Sequence, residues 1–207
     1  MFTEHVLPQA PETLEKLEQG GKILDVGAGG GYHALHYAKR FPDGQVVGLE
    51  FDAPSLALAR QTIAEAGLGE RVEFRHGDAN ELDEENVYDL VTMSIALHET
   101  GGPSEYRNVL GRVRRALKPG GTVMVSELPY PDSPGEYRET PVYKALAGVQ
   151  LHEALVGCGM ITQGQLRDLL TEAGFANVRV ADQPLPTRFV MLAEAEGAMG
   201  TSEHSGG

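Results

Sequence analysis

The sequence predicts an α/β fold built on a doubly wound, mostly parallel sheet, and three observations predict it. Short apolar runs alternate with longer amphipathic stretches through most of the 207 residues, as strands with crossover helices require. A glycine-rich turn at Gly27–Gly31 joins the first apolar run to an amphipathic one. The last two runs are separated by a short proline-containing segment that leaves no room for a crossover helix, so they should form an antiparallel hairpin.

The runs that read as strands are Lys22–Val26, Gln45–Glu50, Val72–His76, Tyr88–Ser94, Thr122–Glu127, Asn177–Ala181 and Arg188–Glu194, seven in all. Helical periodicity falls on Tyr32–Arg40, Pro54–Ala66, Ser104–Leu117 and Gln163–Ala173. The last helix opens on a Thr162 to Gln165 capping box and closes at Gly174. The result is a Rossmann-like sheet of seven strands whose hairpin sits at one edge. Leu128–Ile161 breaks the alternation. Loops longer than about 12–15 residues are usually functional, and this one starts at the carboxyl end of a strand, so it is expected to be a helical insertion capping the site. Residues 1–195 should form one domain, and the small, polar 196–207 should be a disordered tail.

With 41% apolar residues the chain can bury a full core. Its net charge of −13 comes from dispersed acids, which disfavours nucleic acid and anionic membranes as partners. The cations Arg112, Arg114, Arg115 and Lys118 sit near a predicted helix C-terminus, where they complement the dipole. A single cysteine, Cys158, excludes an internal disulfide and a multi-cysteine zinc site, and reads as buried filler. No apolar stretch reaches the roughly 20 residues of a bilayer span, and the N-terminus is too polar for a signal peptide. A cytoplasmic protein is expected.

Gly27, Gly29 and Gly31 let the backbone turn tightly and approach a ligand, but such turns serve NAD, FAD and S-adenosylmethionine alike. A dinucleotide fingerprint starting at Gly27 needs glycine at position 32, where Tyr32 stands. Asp25 is awkward beside a pyrophosphate and suited to an ammonium or sulfonium. Glu50, 21 residues beyond Gly29, can accept from a ribose diol, which leaves NAD and adenosyl nucleosides both open. Phe51 can cover an adenine face, with Asp78 accepting from its exocyclic amine and the Ala79 amide meeting a ring nitrogen. Acids after three successive strands would surround a net-positive ligand.

The segments "LDVGAGGG", "VVGLEFD", "FRHGDA", "YDLVTMSIALHE" and "LKPGGTVMVSE", in this order, resemble the motif series of class I S-adenosylmethionine-dependent methyltransferases over about Leu14–Ala195. The resemblance implies S-adenosylmethionine as cofactor and S-adenosylhomocysteine as product. It places Asp25 and Gly27–Gly31 at the methionine portion, Glu50 at the ribose, Phe51, Asp78 and Ala79 at the adenine, and Ser94 in the pocket after the fourth strand. It also implies a seven-stranded sheet with a reversed edge strand. More narrowly, the chain resembles the catalytic half of bacterial methyltransferases that carry an N-terminal winged-helix domain. That half begins almost at Met1 here, so the extra domain, with its dimerisation mode and share of the acceptor pocket, is expected to be absent.

Methyl transfer needs an acceptor lone pair about 3 Å from the carbon with water excluded, plus a base if the acceptor must lose a proton. His98 with Glu99, just past the fourth strand, is the candidate base, and lining the pocket is its alternative role. Phe2, His5, Tyr32, Tyr130, Tyr143 and Met160 are candidate acceptor-pocket residues, with the N-terminal segment as a lid. His33 with His36, and His152 with Glu153, are weak metal patterns, and no metal is expected. The expected activity is methylation of O, N or S on a small apolar or aromatic molecule. The lone cysteine argues against arsenite as acceptor. Alternatives are an NAD-dependent oxidoreductase and a non-catalytic S-adenosylmethionine-binding regulatory module. The insertion offers a surface for a homodimer.

Overall fold

A run buried on both faces, such as Tyr88–Ser94, must lie inside a sheet covered on both sides, and the computed structural model places it there. The structure describes residues 1–138 and 140–196. Of the predicted tail only Glu196 is among them, so that expectation lies outside the described residues. The strands are β1 (Lys22–Val26), β2 (Gln45–Glu50), β3 (Val72–His76), β4 (Tyr88–Ser94), β5 (Leu117–Glu127), β6 (Phe175–Val180) and β7 (Phe189–Ala195). They form one sheet in the order β3-β2-β1-β4-β5-β7-β6. The first five are parallel, while β7 runs antiparallel to both β5 and β6. The hairpin therefore lies at the edge as expected. The reversed strand, however, is β7, second from the edge, because β6 takes the outer position.

Among the described residues six α-helices surround the sheet: α1 (Pro11–Glu18), α2 (Tyr32–Arg40), α3 (Ala53–Glu65), α4 (Pro103–Ala116), α5 (Pro141–Val156) and α6 (Gln163–Glu172). One face packs Ile23, Tyr37, Phe41, Leu90 and Leu192 beneath α1, α2 and α3. The other packs Leu24, Val91, Leu110 and Leu166 beneath α4 and α6. Alternation within β1 decides which side each residue serves: Ile23 and Asp25 point toward α2, Leu24 and Val26 toward α4. The capping box of α6 is formed by Thr162 and Gln165 as its sequence predicts.

Several elements differ from expectation; β6, for one, starts at Phe175 rather than Asn177. α1 was not anticipated: it is only two turns long, started by Pro11 at its first position, and buries just Thr13 and Leu17. β5 begins at Leu117 rather than Thr122 because Leu117 pairs with Tyr88 before the register shifts and resumes at Thr122 opposite Leu90. Pro119, Gly120 and Gly121 between them, with Gly120 at φ +69, form the irregularity and mask the strand's start. The insertion carries α5, which leaves Leu151 and Leu155 64% and 77% exposed. No helix among the described residues is long and apolar enough to cross a membrane.

Candidate functional site

Sheet order reverses between β1 and β4, and a crevice must open beyond their carboxyl ends. A cleft of about 580 Å³ lies there, within the size range of small-molecule sites. Gly27, Gly29, Glu50, Phe51, Asp78, Ala79, Ser94 and Glu99 all line it. Another cleft of about 420 Å³, near Lys22 and Gln45, lies at the opposite end of the strands. Its arginines are tied to backbone, Arg71 to the carbonyls of Ala38 and Phe41 and Arg60 to that of Phe74.

The glycines do different work. At Gly27 (φ +69) a side chain would meet Ala96 Cβ at 2.5 Å, and at Gly31 (φ +79) it would meet Ala59 and Phe74 at 3.0 Å. Gly29 has φ +51 and nothing within 4 Å of a would-be Cβ, so its backbone faces open cleft. Its amide donates to Glu50 Oε2 at 2.7 Å, and the Asp52 amide donates to Oε1 at 2.8 Å. Glu50 thus ties the two loops together and presents an oriented carboxylate with lone pairs to spare. Asp78 Oδ1 accepts from the Asn80 amide at 2.8 Å and caps the short turn Ala79–Glu81; among the described residues its other oxygen takes no hydrogen bond. Phe51 is 70% exposed and stacks on His76, a free apolar face at the cleft's edge. These residues fit an adenosyl ligand: a glycine cradle open to it, and two oriented carboxylates with acceptor capacity beside a flat apolar ring.

Asp25 does not stand on the cleft wall. It is buried behind it on the α2 face, where Oδ1 accepts from Thr92 Oγ1 at 2.7 Å and Oδ2 has no partner. Burial raises its pKa to about 7, against the Thr92 hydrogen bond and with the help of the Glu50 charge. Tyr37 beside it also leaves its hydroxyl unpartnered. A cationic group or a water would complete this pair.

His98 is buried, and its partner is Glu127 at the end of β5: Nδ1 lies 2.8 Å from Oε2, with Glu127 buried as well. Glu99, the second candidate, does not bond to His98: neighbouring residues on a helical turn point apart, and Glu99 lines the cleft. Burial alone would lower the His98 pKa; the hydrogen bond and charge of Glu127, with Glu99 and Glu153, outweigh it and raise it. Glu127 closes the segment "LKPGGTVMVSE", yet no role was read from it there, since its only sign was an acid ending an apolar strand. Ile95, which lines the cleft, was also missed: a β-branched residue at φ +56 costs about 1–3 kcal/mol and shows only in the backbone.

The acceptor-pocket candidates separate. Tyr130 is buried with its hydroxyl unpartnered, and Tyr143 and Met160 are half-buried at the two ends of the insertion's helical segment. Tyr32 is 63% exposed and turned to solvent near Leu58, not to the cleft. Phe2 is buried against His33, ring centroids 5.0 Å apart, so it fills space rather than lining it. His5 is exposed in a groove with Gln9 and Asp182, outside the cleft, because the helical turn Phe2–Val6 buries Phe2 and Val6 and turns His5 outward. Cys158 is half-buried rather than core. Among the described residues no group of three or more His, Cys, Asp or Glu side chains is arranged to hold a metal.

A family model described as a methyltransferase domain matches residues 23–121. An arsenite methyltransferase of Halobacterium salinarum is 28% identical over 92% of this chain and 46% of its own length. A demethylmenaquinone methyltransferase of Lactiplantibacillus plantarum is 33% identical over 57% of this chain and 49% of its own. The chain thus spans about half the length of these curated relatives. The solved structure of the S-adenosylmethionine-dependent methyltransferase SibL superposes with a TM-score of 0.70 at 26% identity, covering 92% of this chain and 55% of that one. With the strand order, the reversed β7 and the glycine cradle, these likenesses identify the architecture: the chain has the class I S-adenosylmethionine-dependent methyltransferase fold.

Proposed function

We propose that the protein is an S-adenosylmethionine-dependent methyltransferase acting on O, N or S of a small apolar or aromatic molecule. The observation that carries this reading is the buried His98–Glu127 pair beside a cleft lined by Gly27, Gly29, Glu50 and Asp78. Gly27–Gly31, Glu50, Phe51, Asp78, Ala79 and Ser94 would hold the cofactor, and Asp25 would act through the field of its buried carboxylate. When bound, the cofactor supplies an electrophilic methyl group. Glu127 orients the imidazole and stabilises its protonated form, and His98 Nε2 is the nitrogen left to take an acceptor's proton. Tyr130, Tyr143 and Met160 on the insertion would exclude water from the acceptor.

Coverage of only 55% of the SibL chain supports the likeness to the catalytic half of a longer methyltransferase. The lone Cys158 speaks against the arsenite activity named for the Halobacterium relative. A cytoplasmic location, a small-molecule partner rather than nucleic acid or membrane, and a homodimer through the insertion belong to the same proposal. Titration with S-adenosylhomocysteine and NAD tests the cofactor: binding of NAD alone would move the chain to the oxidoreductases. His98→Ala should cut product formation by about 100-fold or more with S-adenosylhomocysteine binding intact, and unchanged turnover would remove His98 from the mechanism.

A further inference from the structure

The polar groups on the acceptor side of the cleft are unbalanced in charge. Around His98 stand three carboxylates: Glu127 at 2.8 Å from Nδ1, Glu153 of α5 at 3.9 Å from Nε2, and Glu99 next in the chain. Even with the imidazole protonated, one positive charge faces three negative ones. Among the described residues no lysine or arginine pairs with any of the three. Glu127 is fully buried and Glu153 mostly so, and an uncompensated carboxylate in such surroundings is costly. Burial, Glu153 and Glu127 push the Tyr130 hydroxyl up to about 12, and burial with Glu153 and Glu99 raises the Cys158 thiol.

Tyr130 is an independent sign of a missing ligand. It is 5% exposed, its hydroxyl has no partner, and that hydroxyl feels both Glu153 and Glu127. A buried phenol beside acids normally donates to one of them; here it is left available to a ligand. Glu99 reaches the cofactor cleft, but Glu153, Glu127 and Tyr130 are not on its wall, so the cofactor does not account for them.

We propose that the methyl acceptor is a small amine that binds as its ammonium, held by Glu153 and Glu99 with Tyr130 as a further polar and aromatic contact; His98 Nε2 then takes one N–H proton, and the freed lone pair forms the new N–C bond as the methyl's bond to sulfur breaks. This rests on the methyltransferase reading above and narrows its acceptor class. Glu153 is the specificity-determining residue. Because it rides on the insertion, an ammonium between it and Glu99 would also draw α5 toward the cleft rim.

The test uses the full chain saturated with S-adenosylhomocysteine and matched triplets that share one apolar body: benzylamine, benzyl alcohol and benzoate; phenethylamine, 2-phenylethanol and phenylacetate; and aliphatic equivalents. Thermal shift and calorimetry should find the binders among the ammonium members, about tenfold tighter than their alcohols. Glu153→Gln should erase most of that preference with S-adenosylhomocysteine affinity unchanged, which also reports that the variant folds. Binding that favours alcohols or carboxylates, no binding by any ammonium member, or a preference that Glu153→Gln leaves intact would each overturn the proposal. Failure of S-adenosylhomocysteine itself to bind would overturn the methyltransferase reading and this inference with it.

Discussion

His98 Nδ1 and Glu127 Oε2 lie 2.8 Å apart, joining the loop after β4 to the last residue of β5 inside the protein. The pair fixes the imidazole's orientation and leaves Nε2 for chemistry. Its charge also sets a pH dependence. A base must be neutral to accept a proton, and the net field here raises the imidazole pKa. The acid limb of kcat/KM is therefore expected above the ordinary histidine value near 6.5. Glu127→Gln should move that limb to lower pH, and His98→Ala should reduce kcat by about 10²- to 10⁴-fold. A limb that stays in place in Glu127→Gln would show that the pair does not tune the base.

Asp25 makes the apo protein sensitive to pH in the opposite sense to most carboxylates. Its pKa of about 7 exceeds the ordinary aspartate value of 3.8, so the folded chain holds this proton more tightly than the unfolded chain. Stability from this group is present below about pH 4 and is lost as pH rises to about 7. Asp25→Asn should therefore stabilise the apo protein at pH 8 by up to about 4 kcal/mol and raise its melting temperature there, while weakening S-adenosylhomocysteine binding. Calorimetry of both proteins across pH checks the sign, and a lower melting temperature for the variant at pH 8 would refute it.

Gly27 and Gly29 should respond differently to alanine although both have positive φ. Gly29→Ala costs the left-handed backbone penalty, about 1–2 kcal/mol. It should still fold, yet lose S-adenosylhomocysteine affinity, because its methyl enters open cleft. Gly27→Ala adds a 2.5 Å approach to Ala96 and should lose more stability. Chemical denaturation and calorimetric titration separate the two effects.

Glu50 accepts two backbone amides, from Gly29 and Asp52, and should matter to the apo protein as well as to the ligand. Glu50→Ala is expected to cost about 2–4 kcal/mol of stability, since each hydrogen bond to a charged group contributes about 1.5–3 kcal/mol less compensation by water. Faster hydrogen exchange at the Gly29 and Asp52 amides would accompany it. Unchanged exchange there would mean that the loops hold without the carboxylate.

Much of this molecule was legible in the residues alone. Period and punctuation located β1 to β4 to the residue, because each is a short buried run bounded by turn formers, and buried parallel strands admit few polar interruptions. The glycines with Glu50 and Asp78 were legible because backbone conformation and strand-end position are local properties. Contacts between distant segments were not. Nothing near His98 in the chain indicates Glu127, 29 residues away, and nothing near Asp25 indicates that Thr92 would hold one oxygen and leave the other unpaired. Neither Tyr32 nor Phe2 advertises which way it faces: one turned to solvent and the other under His33. Local propensity and periodicity determined most of the elements and the glycine turn after β1. Which side chains meet across the strand ends, His98 with Glu127 and Asp25 with Thr92, was decided only when sheet order brought β1, β4 and β5 side by side.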